Sequence, residues 1–151
     1  MPENNKIASF TINHEVLQRG LYVSRRDGDI TTFDLRCRKP YAEPVLTDVE
    51  THSLEHLLAT ELRNGPYGQS VVYVGPMGCA TGFYVLFREV SDDTAVWTIV
   101  RAFRKITESS VMPGNSKVEC GNCLTLDLAA GKRVAAEYLA VIKSKGEPDE
   151  Y

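Results

Sequence analysis

Residues 47–66 constrain the fold of this chain most, because they carry the start, the core-facing side and the end of one helix. Thr47 and Glu50 fit a capping box, in which each side chain accepts a hydrogen bond from the backbone N–H of the other residue. Asn-Gly-Pro at residues 64–66 ends the pattern, so the predicted helix ends at about Arg63. Its apolar residues repeat at helical spacing, which gives the helix one face for a hydrophobic core. These residues are Leu54, Leu58 and Leu62.

Strand patterns lie on both sides of this helix. Residues 20–37 predict a β-hairpin, because two runs rich in strand-forming residues flank the tight-turn pair Asp27-Gly28. After the helix, residues 70–74 and 83–90 predict two further strands, and the glycine-rich segment GPMGCATG joins them.

Two more helices complete the pattern. Residues 91–93 cap the first of them, and the second is predicted over about residues 127–143, with an acidic segment after it. The first has an apolar side made of Val96, Val100, Phe103 and Ile106. Strands and helices do not alternate regularly along the chain. We therefore predict an α+β fold in which a mainly antiparallel sheet packs against helices, as a single domain over residues 1–151.

The charge of the chain does not favour a polyanionic partner. The formal net charge is −3 and the basic runs are short, whereas a nucleic-acid surface or a membrane patch needs clustered Lys and Arg. No apolar run approaches the roughly 20 residues that span a bilayer, and the polar start MPENNKIASF has no signal-peptide core. We therefore expect a cytoplasmic protein that binds neither nucleic acid nor membrane. In that reducing compartment, the four cysteines are expected to be metal ligands, catalytic thiols or core residues and not disulfides.

The predicted first helix carries the motif HSLEH at residues 52–56, which raises the question of a metal site. Because positions i and i+4 lie one turn apart on the same side of a helix, His52 and His56 can bind one ion. Glu55 lies about 60° from His52 around the helix axis, close enough to act beside the ion without binding it. The alternative is a helix with two partly exposed histidines. These are two of only three histidines in the chain and lie beside the leucines, which favours a site next to the core.

A third ligand is needed, because two residues do not make a biological metal site. Cys120 and Cys123 form a C-x-x-C pair that could supply it. One cysteine would give a His2Cys site with an open position, which is the catalytic arrangement, and two would give a closed structural site. The pair could also be a redox pair, although the strand–helix–strand context of thioredoxins does not precede it. The spacing leaves the first two alternatives open.

Cys79 is the second thiol of interest. It lies in the glycine-rich segment between two predicted strands, where the backbone can approach a ligand closely. A small buried thiol is the usual role of an isolated cysteine. Near a divalent cation, however, this thiol would serve as an acid or base near neutral pH.

Taken together, the motifs are similar to those of one known family. HSLEHLLA, GPMGCATGFYVL and ECGN resemble the family segments HTLEHL, SPMGCxTGFY and xCG, and they occur in the same order. Nearer the start, SFTINH and FDLRCRKP are similar to SFxxDH and FDIRFxxP. Over roughly residues 8–140, the chain resembles the S-ribosylhomocysteine lyases, the LuxS family.

The resemblance implies a reaction and a metal ion. Members of the family cleave the thioether of S-ribosylhomocysteine to homocysteine and 4,5-dihydroxy-2,3-pentanedione, the precursor of a bacterial quorum signal. Carried over to this chain, the metal ligands are His52, His56 and Cys120, the cysteine directly before Gly121. The physiological ion of the family is taken to be ferrous iron, which zinc or cobalt can replace.

The same resemblance implies roles for five further residues. Glu55 and Cys79 would be the two proton-transfer groups. Ser9, His14 and Arg36 match positions that help to hold the substrate at a dimer interface. The family forms homodimers of α+β subunits, and the two active sites lie between the subunits.

Four positions depart from the family pattern. Tyr73 stands in place of an aspartate six residues before Cys79, and Leu126 stands in place of a histidine after the CG ligand. Cys37 replaces a phenylalanine, and Gly75 replaces a serine. The residues implied in metal binding and proton transfer are unchanged, which predicts retained activity. Loss of the aspartate predicts an altered rate and pH dependence.

Other interpretations use the same residues differently. H-x-x-E-H is also the inverzincin peptidase motif, with Glu55 activating water and Glu137 as a conceivable third ligand. This chain is far too short for those enzymes, and PMGCATG would have no role. A catalytically degenerate homologue that binds metal and ligand without turnover would account for Tyr73 and Leu126. A structural His2Cys2 zinc domain would need Cys123 as its fourth ligand.

Overall fold

The computed structural model describes residues 7–151, in which four strands and three helices follow one another along the chain. The strands are β1 (Gly20–Asp27), β2 (Ile30–Arg36), β3 (Val71–Pro76) and β4 (Gly82–Arg88). The helices are α1 (Asp48–Arg63), α2 (Asp92–Glu108) and α3 (Leu128–Ile142). The predicted α+β class is confirmed, and each predicted strand and helix lies within a few residues of its expected bounds. Residues 1–6, on which part of the signal-peptide expectation rests, lie outside the described residues.

The four strands form one antiparallel sheet in the order β1-β2-β4-β3. Asp27 pairs with Ile30 at the end of the first hairpin, and Gly28 adopts φ +61° in its turn, a conformation that suits glycine. Arg36 pairs with Gly82 at the start of β4. The end of β2 therefore lies beside the turn that joins β3 to β4.

The helices pack on one face of the sheet. α1 begins with the predicted capping box: Glu50 N–H donates to Thr47 Oγ1 at 3.1 Å, and Thr47 N–H donates to the Glu50 carboxylate at 2.9 Å. The three leucines predicted for its core-facing side are fully buried. They share the core with sheet residues such as Phe33 and Phe87, whose rings meet edge to face at 5.9 Å. None of the helices in residues 7–151 combines the length and apolar character that a membrane span requires.

The opposite face of the sheet carries polar and aromatic side chains. The strand register places four residues in one row across it, namely Tyr22, Asp34, Tyr84 and Gly75. Arg36 lies on the same face, because it follows Asp34 by two residues in β2. Asp34 is 0% exposed and Arg36 is 2% exposed, although the helices lie on the other face. We call this side of the sheet the outer face.

Two features have no local signature in the sequence. Short 3-10 turns lie at Ala8–Phe10, Gly68–Ser70 and Cys123–Thr125. The acidic segment after α3 returns to the sheet, where Asp149 forms a parallel bridge with Tyr22 of β1. Contacts of this kind join residues far apart in the chain, so no periodic pattern indicates them.

Candidate metal centre

The two histidines of HSLEH extend from the same side of α1, as their four-residue spacing predicts. Their ring centroids lie 4.7 Å apart and their ring planes are perpendicular. Both His52 and His56 are partly exposed, whereas the neighbouring Ser53 and Leu54 are buried. α1 therefore presents the imidazoles at the edge of the hydrophobic core.

Hydrogen bonds fix the tautomer of both imidazoles. His56 Nδ1 lies 2.9 Å from the backbone oxygen of Pro113, which can only accept, so Nδ1 carries the proton. His52 Nδ1 lies 2.6 Å from Thr125 Oγ1. The Thr125 hydroxyl donates its hydrogen bond to the Asn122 carbonyl at 3.2 Å, so its oxygen accepts the hydrogen bond from His52 Nδ1–H. Each histidine is left with an unprotonated Nε2, which is the form that binds metal ions.

Cys120 completes the cluster from the loop between α2 and α3. Its sulfur lies 3.4 Å from His52 Nε2 and accepts the backbone N–H of Asn122 at 3.4 Å. One ligand atom from each of His52, His56 and Cys120 lies within 4.8 Å of the other two. Two imidazole nitrogens and one thiol sulfur are donors that zinc and iron accept. The donor set therefore fits a divalent transition metal held by three protein ligands.

Gly114 lets the loop approach the helix this closely. It adopts φ +67°, and a Cβ at this position would lie 2.9 Å from His56 Nδ1. A side chain would therefore press on the imidazole that the carbonyl of the preceding residue holds. The loop backbone at Gly114 therefore contacts the His56 ring so closely that there is no room for a side chain.

Two residues named by the alternative interpretations lie outside the cluster. Cys123 is not among the three residues that converge within the described part of the chain, and it begins the turn Cys123–Thr125 instead. Glu137 on α3 pairs with Arg38 at 3.0 Å. The cluster therefore contains neither the fourth ligand of a closed structural site nor the glutamate ligand of the peptidases.

Glu55 lies on α1 between the two histidines and is partly exposed. It takes part in none of the ion pairs formed by residues 7–151. A carboxylate without a fixed cationic partner, placed beside a metal-binding cluster, is available to accept or donate a proton.

Cys79 lies in the turn between β3 and β4, and the end of β2 holds this turn. The Thr81 carbonyl accepts the N–H groups of Cys37 and Arg38, both at 2.9 Å. Ala80 adopts φ +59°, a left-handed conformation that is uncommon for residues other than glycine. Such backbone strain persists only where surrounding contacts enforce it, and it is frequent at functional sites. The turn therefore presents the exposed side chain of Cys79 from a fixed backbone.

Arg36 connects Cys79 to the buried part of the outer face. Its Nη1 donates to Thr81 Oγ1 at 2.8 Å and lies 3.9 Å from Cys79 Sγ. Its Nη2 donates to Asp34 Oδ2 at 2.6 Å. Burial lowers the pKa of Arg36, but the attraction and hydrogen bond of Asp34 outweigh it, and the net shift is upward. The guanidinium is therefore a permanent positive charge beside the sulfur.

Two atoms of the Asp34–Arg36 pair have no partner. Asp34 Oδ1 and Arg36 Nε are buried and make no hydrogen bond within the residues that the structure describes. Leaving buried polar atoms without a partner costs free energy, and each such case in a native protein calls for an explanation. Within residues 7–151, the pair therefore keeps unused hydrogen-bonding capacity in the interior.

The remaining predicted residues lie apart from these groups. Ser9 belongs to the 3-10 turn Ala8–Phe10, and His14 lies in the turn that follows. Neither hydrogen-bonds to Arg36, Cys79 or the three-residue cluster in the described structure. Cys37 is fully buried, and burial raises the pKa of its thiol to about 12. Cys37 is therefore a core residue in the position where the family has phenylalanine.

Tyr73 and Gly75, two of the departures from the family pattern, are sterically coupled. A Cβ on Gly75 would lie 2.0 Å from Tyr73 Oη and 2.4 Å from its Cζ. The tyrosine ring thus occupies the space that a serine at position 75 would enter. The two departures from the family pattern are therefore in contact with each other.

Sequence reasoning missed the residues that hold the others in place. Pro113 and Thr125 support the histidines from 57 and 73 positions away. The sequence could have indicated that Asp34 lies beside Arg36, because residues two positions apart lie on the same face of a strand. No such signal indicated Tyr151, which contacts Asp34.

Comparisons with known proteins agree with the motifs. The family model described as S-Ribosylhomocysteinase (LuxS) matches residues 7–148. The chain is 42% identical to the S-ribosylhomocysteine lyase of Clostridium acetobutylicum over 149 residues, which cover 94% of each chain. It is 46% identical to that of Porphyromonas gingivalis over 142 residues, 89% of each chain. It is 38% identical to that of Borreliella burgdorferi over 146 residues, 92% of this chain and 93% of the relative.

Proposed function

The chain belongs to the S-ribosylhomocysteinase (LuxS) family, and we propose that it cleaves the thioether of S-ribosylhomocysteine to homocysteine and 4,5-dihydroxy-2,3-pentanedione. One observation carries the proposal. The two imidazoles of α1 are held by hydrogen bonds at Nδ1 and converge with the Cys120 sulfur, beside a carboxylate that forms no ion pair within residues 7–151. This is the arrangement that a metal-assisted proton-transfer enzyme requires.

We assign His52, His56 and Cys120 as the ligands of a divalent metal. Two neutral imidazoles and a thiol suit ferrous iron, zinc and cobalt alike, and three protein ligands leave a position open. We propose ferrous iron as the native ion, with zinc or cobalt as substitutes. When bound, the ion supplies Lewis-acid polarisation at a carbonyl oxygen of the sugar.

Proton transfers account for the rest of the reaction. The C–S bond breaks by β-elimination, with homocysteine leaving as its thiolate, when the sulfur is β to a carbonyl. The sugar carbonyl must therefore first move along the carbon chain. Each move takes a proton from a carbon next to the carbonyl and returns one elsewhere. We assign these transfers to Cys79 and Glu55. Arg36 Nη1 lies 3.9 Å from the Cys79 sulfur, and Glu55, which forms no ion pair within residues 7–151, can accept a proton and return it as an acid.

Substrate binding is assigned to Arg36, Ser9 and His14. Arg36 lies next to the exposed Cys79, with Nη1 3.9 Å from its sulfur, and this puts its positive charge at the proposed reaction site. Ser9 and His14 come from the segment before β1, and they would act on substrate at a site shared with a second subunit. We propose a homodimer with active sites between subunits, which the exposed Tyr73 on the outer face supports.

The reduced thiols bear on the compartment. Cys79 and Cys120 are both free, and each must stay reduced to serve as a proton carrier or a ligand. We therefore place the enzyme in the cytoplasm, where thiols are kept reduced. Residues 1–151 are proposed to act as one S-ribosylhomocysteine lyase domain.

Thiol release from S-ribosylhomocysteine by anaerobically purified protein, loaded with iron or cobalt, tests this function. The wild type is expected to release homocysteine. Cys79→Ala and Glu55→Gln are expected to lower the rate by at least about 10²-fold with unchanged metal content, because each removes one proton carrier. Cys123→Ala is the matched control, since it removes a thiol outside the cluster, and it is expected to keep both metal and activity.

One outcome would replace the proposal. Stoichiometric metal and bound substrate without thiol release would identify a protein that binds without turnover, with Tyr73 and Leu126 as the changes that removed catalysis. Loss of activity in Cys123→Ala together with loss of metal would show a fourth ligand and a closed site.

A further inference from the structure

The acidic segment after α3 is attached to the edge strand β1. The backbone N–H of Asp149 donates to the Leu21 carbonyl at 2.6 Å, and Leu21 N–H donates to Asp149 Oδ2 at 3.0 Å. Lys145 Nζ donates to the other carboxylate oxygen of Asp149 at 2.5 Å. The backbone of this segment is thereby fixed two residues before Tyr151.

Tyr151 lies over the outer face and reaches a buried charge. Its ring stacks on that of Tyr22, with centroids 4.7 Å apart and planes 9° from parallel. Its hydroxyl donates to Asp34 Oδ2 at 2.6 Å. Burial and the Asp34 carboxylate both raise the pKa of Tyr151, so the hydroxyl stays a donor at physiological pH.

The oxygen that accepts from Tyr151 also binds Arg36. Asp34 Oδ2 receives the tyrosine hydroxyl and Arg36 Nη2, each at 2.6 Å. The other terminal nitrogen of Arg36 lies 3.9 Å from Cys79 Sγ. A continuous chain of contacts thus runs from Tyr151 through Asp34 and Arg36 to Cys79.

The orientation of Asp34 depends on few contacts. Its second oxygen, Oδ1, has no hydrogen-bond partner in residues 7–151, so the donors on Oδ2 define where the carboxylate points. One of those donors is Arg36 itself. Two contacts from outside the pair therefore hold it: Thr81 Oγ1 accepts from the Arg36 end at 2.8 Å, and the Tyr151 hydroxyl donates to the Asp34 end.

We propose that Tyr151 is a positioning residue, which fixes the Arg36 guanidinium beside the Cys79 sulfur through Asp34. The segment after α3 then contributes to the reactive site and is not only a surface segment bridged to β1. The importance of this positioning for turnover rests on the proposed function, because it requires Cys79 to be a proton carrier. The positioning itself does not.

Alkylation of Cys79 by two reagents of similar size tests the proposal. Iodoacetate is an anion and iodoacetamide is neutral, so the ratio of their rates reports how close a positive charge lies to the sulfur. The zinc-loaded protein is treated at low ionic strength, where screening is weak. Trypsin releases Cys79 in residues 64–88, which contain no other cysteine, so mass spectrometry resolves its rate from those of the other thiols.

Tyr151→Phe keeps the stacked ring and removes only the hydroxyl. It is expected to lower the iodoacetate-to-iodoacetamide ratio at Cys79 by about two- to threefold, since the Asp34 end of the pair is then free to move and only Thr81 holds the guanidinium near the sulfur. Tyr151→Ala is expected to lower the ratio at least as much. Tyr67→Phe is the matched control, because Tyr67 packs edge to face on Trp97, away from the outer face. In this variant, the ratio at Cys79 is expected to stay unchanged.

Two results would overturn the proposal. An unchanged ratio in Tyr151→Phe would show that the hydroxyl does not position Arg36. A fall in Tyr151→Ala without one in Tyr151→Phe would assign the effect to ring packing. Homocysteine release measured on the same samples separates the two hypotheses: a lowered ratio in a protein without lyase activity supports the positioning role and contradicts the proposed function.

Discussion

The two halves of the candidate site are held by different means. His52, His56 and Cys120 are partly exposed, and neutral hydrogen bonds from one loop orient them. Cys79 depends instead on Arg36, whose charge is buried in the sheet and paired with Asp34. The metal ligands (the metal half) thus lie at the protein surface, whereas the residues that support Cys79 (the sheet half) form a buried ion pair inside the sheet.

This difference predicts where substitutions affect stability and where they affect only function. Exposed side chains with neutral hydrogen bonds contribute little to the free energy of unfolding. A buried ion pair contributes little as a pair, but removal of one partner leaves a charge in the protein interior. Substitutions at the metal ligands should therefore change function with little effect on the free energy of unfolding, whereas substitutions in the Asp34–Arg36 pair should lower that free energy.

The largest effect is expected from Asp34→Ala, which leaves the Arg36 guanidinium buried without its carboxylate. We expect the free energy of unfolding to fall by about 3–5 kcal/mol, measured by urea denaturation of the metal-free protein. Cys120→Ala, in the metal half, is expected to cost less than about 1 kcal/mol in the same measurement.

The double variant Asp34→Ala/Arg36→Met serves as the control for that prediction. It removes both charges and keeps an apolar side chain of similar length, so most of the lost stability is expected to return. If Asp34→Ala and Cys120→Ala cost the same, the contrast between the two halves is wrong.

The second prediction concerns Thr125, which holds His52 from outside the ligand set. Thr125→Val removes the acceptor of the imidazole N–H and is expected to weaken metal affinity by about 10- to 100-fold. Affinity is measured by competition with a chelator, and urea unfolding of the metal-free protein is expected to change little. Thr107→Val is the matched control, because among the described residues the Thr107 hydroxyl donates to the Arg104 carbonyl of its own helix, far from the ligands in sequence and outside their hydrogen bonds. Equal affinities of the two variants would show that Thr125 does not orient the ligand.

The contrast also explains how much could be predicted from the sequence. The capping box of Thr47 and Glu50 set the start of α1, and the four-residue spacing put both histidines on one side of it. These features repeat over a few residues, so local physics determines them. Cys120 lies 68 positions from His52; the C-x-x-C pair offered it or Cys123 as a ligand, and the family resemblance was needed to choose Cys120.

The contact of Tyr151 with the sheet half was beyond sequence reasoning for the same reason. The Tyr151–Asp34 contact spans 117 positions. The acidic composition of the segment after α3 indicates an exposed segment, whereas the structure attaches it to β1 through Asp149. Long-range contacts between single side chains leave no period in the sequence, and so they appear only when the strands are assembled.

The smallest effect is expected at the edge of the outer face, where Tyr73 lies over Gly75. Gly75→Ser would place a Cβ 2.0 Å from Tyr73 Oη, but that atom is the end of a half-exposed side chain that can rotate away. We expect the free energy of unfolding to fall by about 1 kcal/mol. In a Tyr73→Asp background, the same substitution is expected to be neutral, because the ring is absent. A double-mutant cycle by urea denaturation measures this coupling, and a coupling energy near zero would show that the two departures from the family pattern are independent.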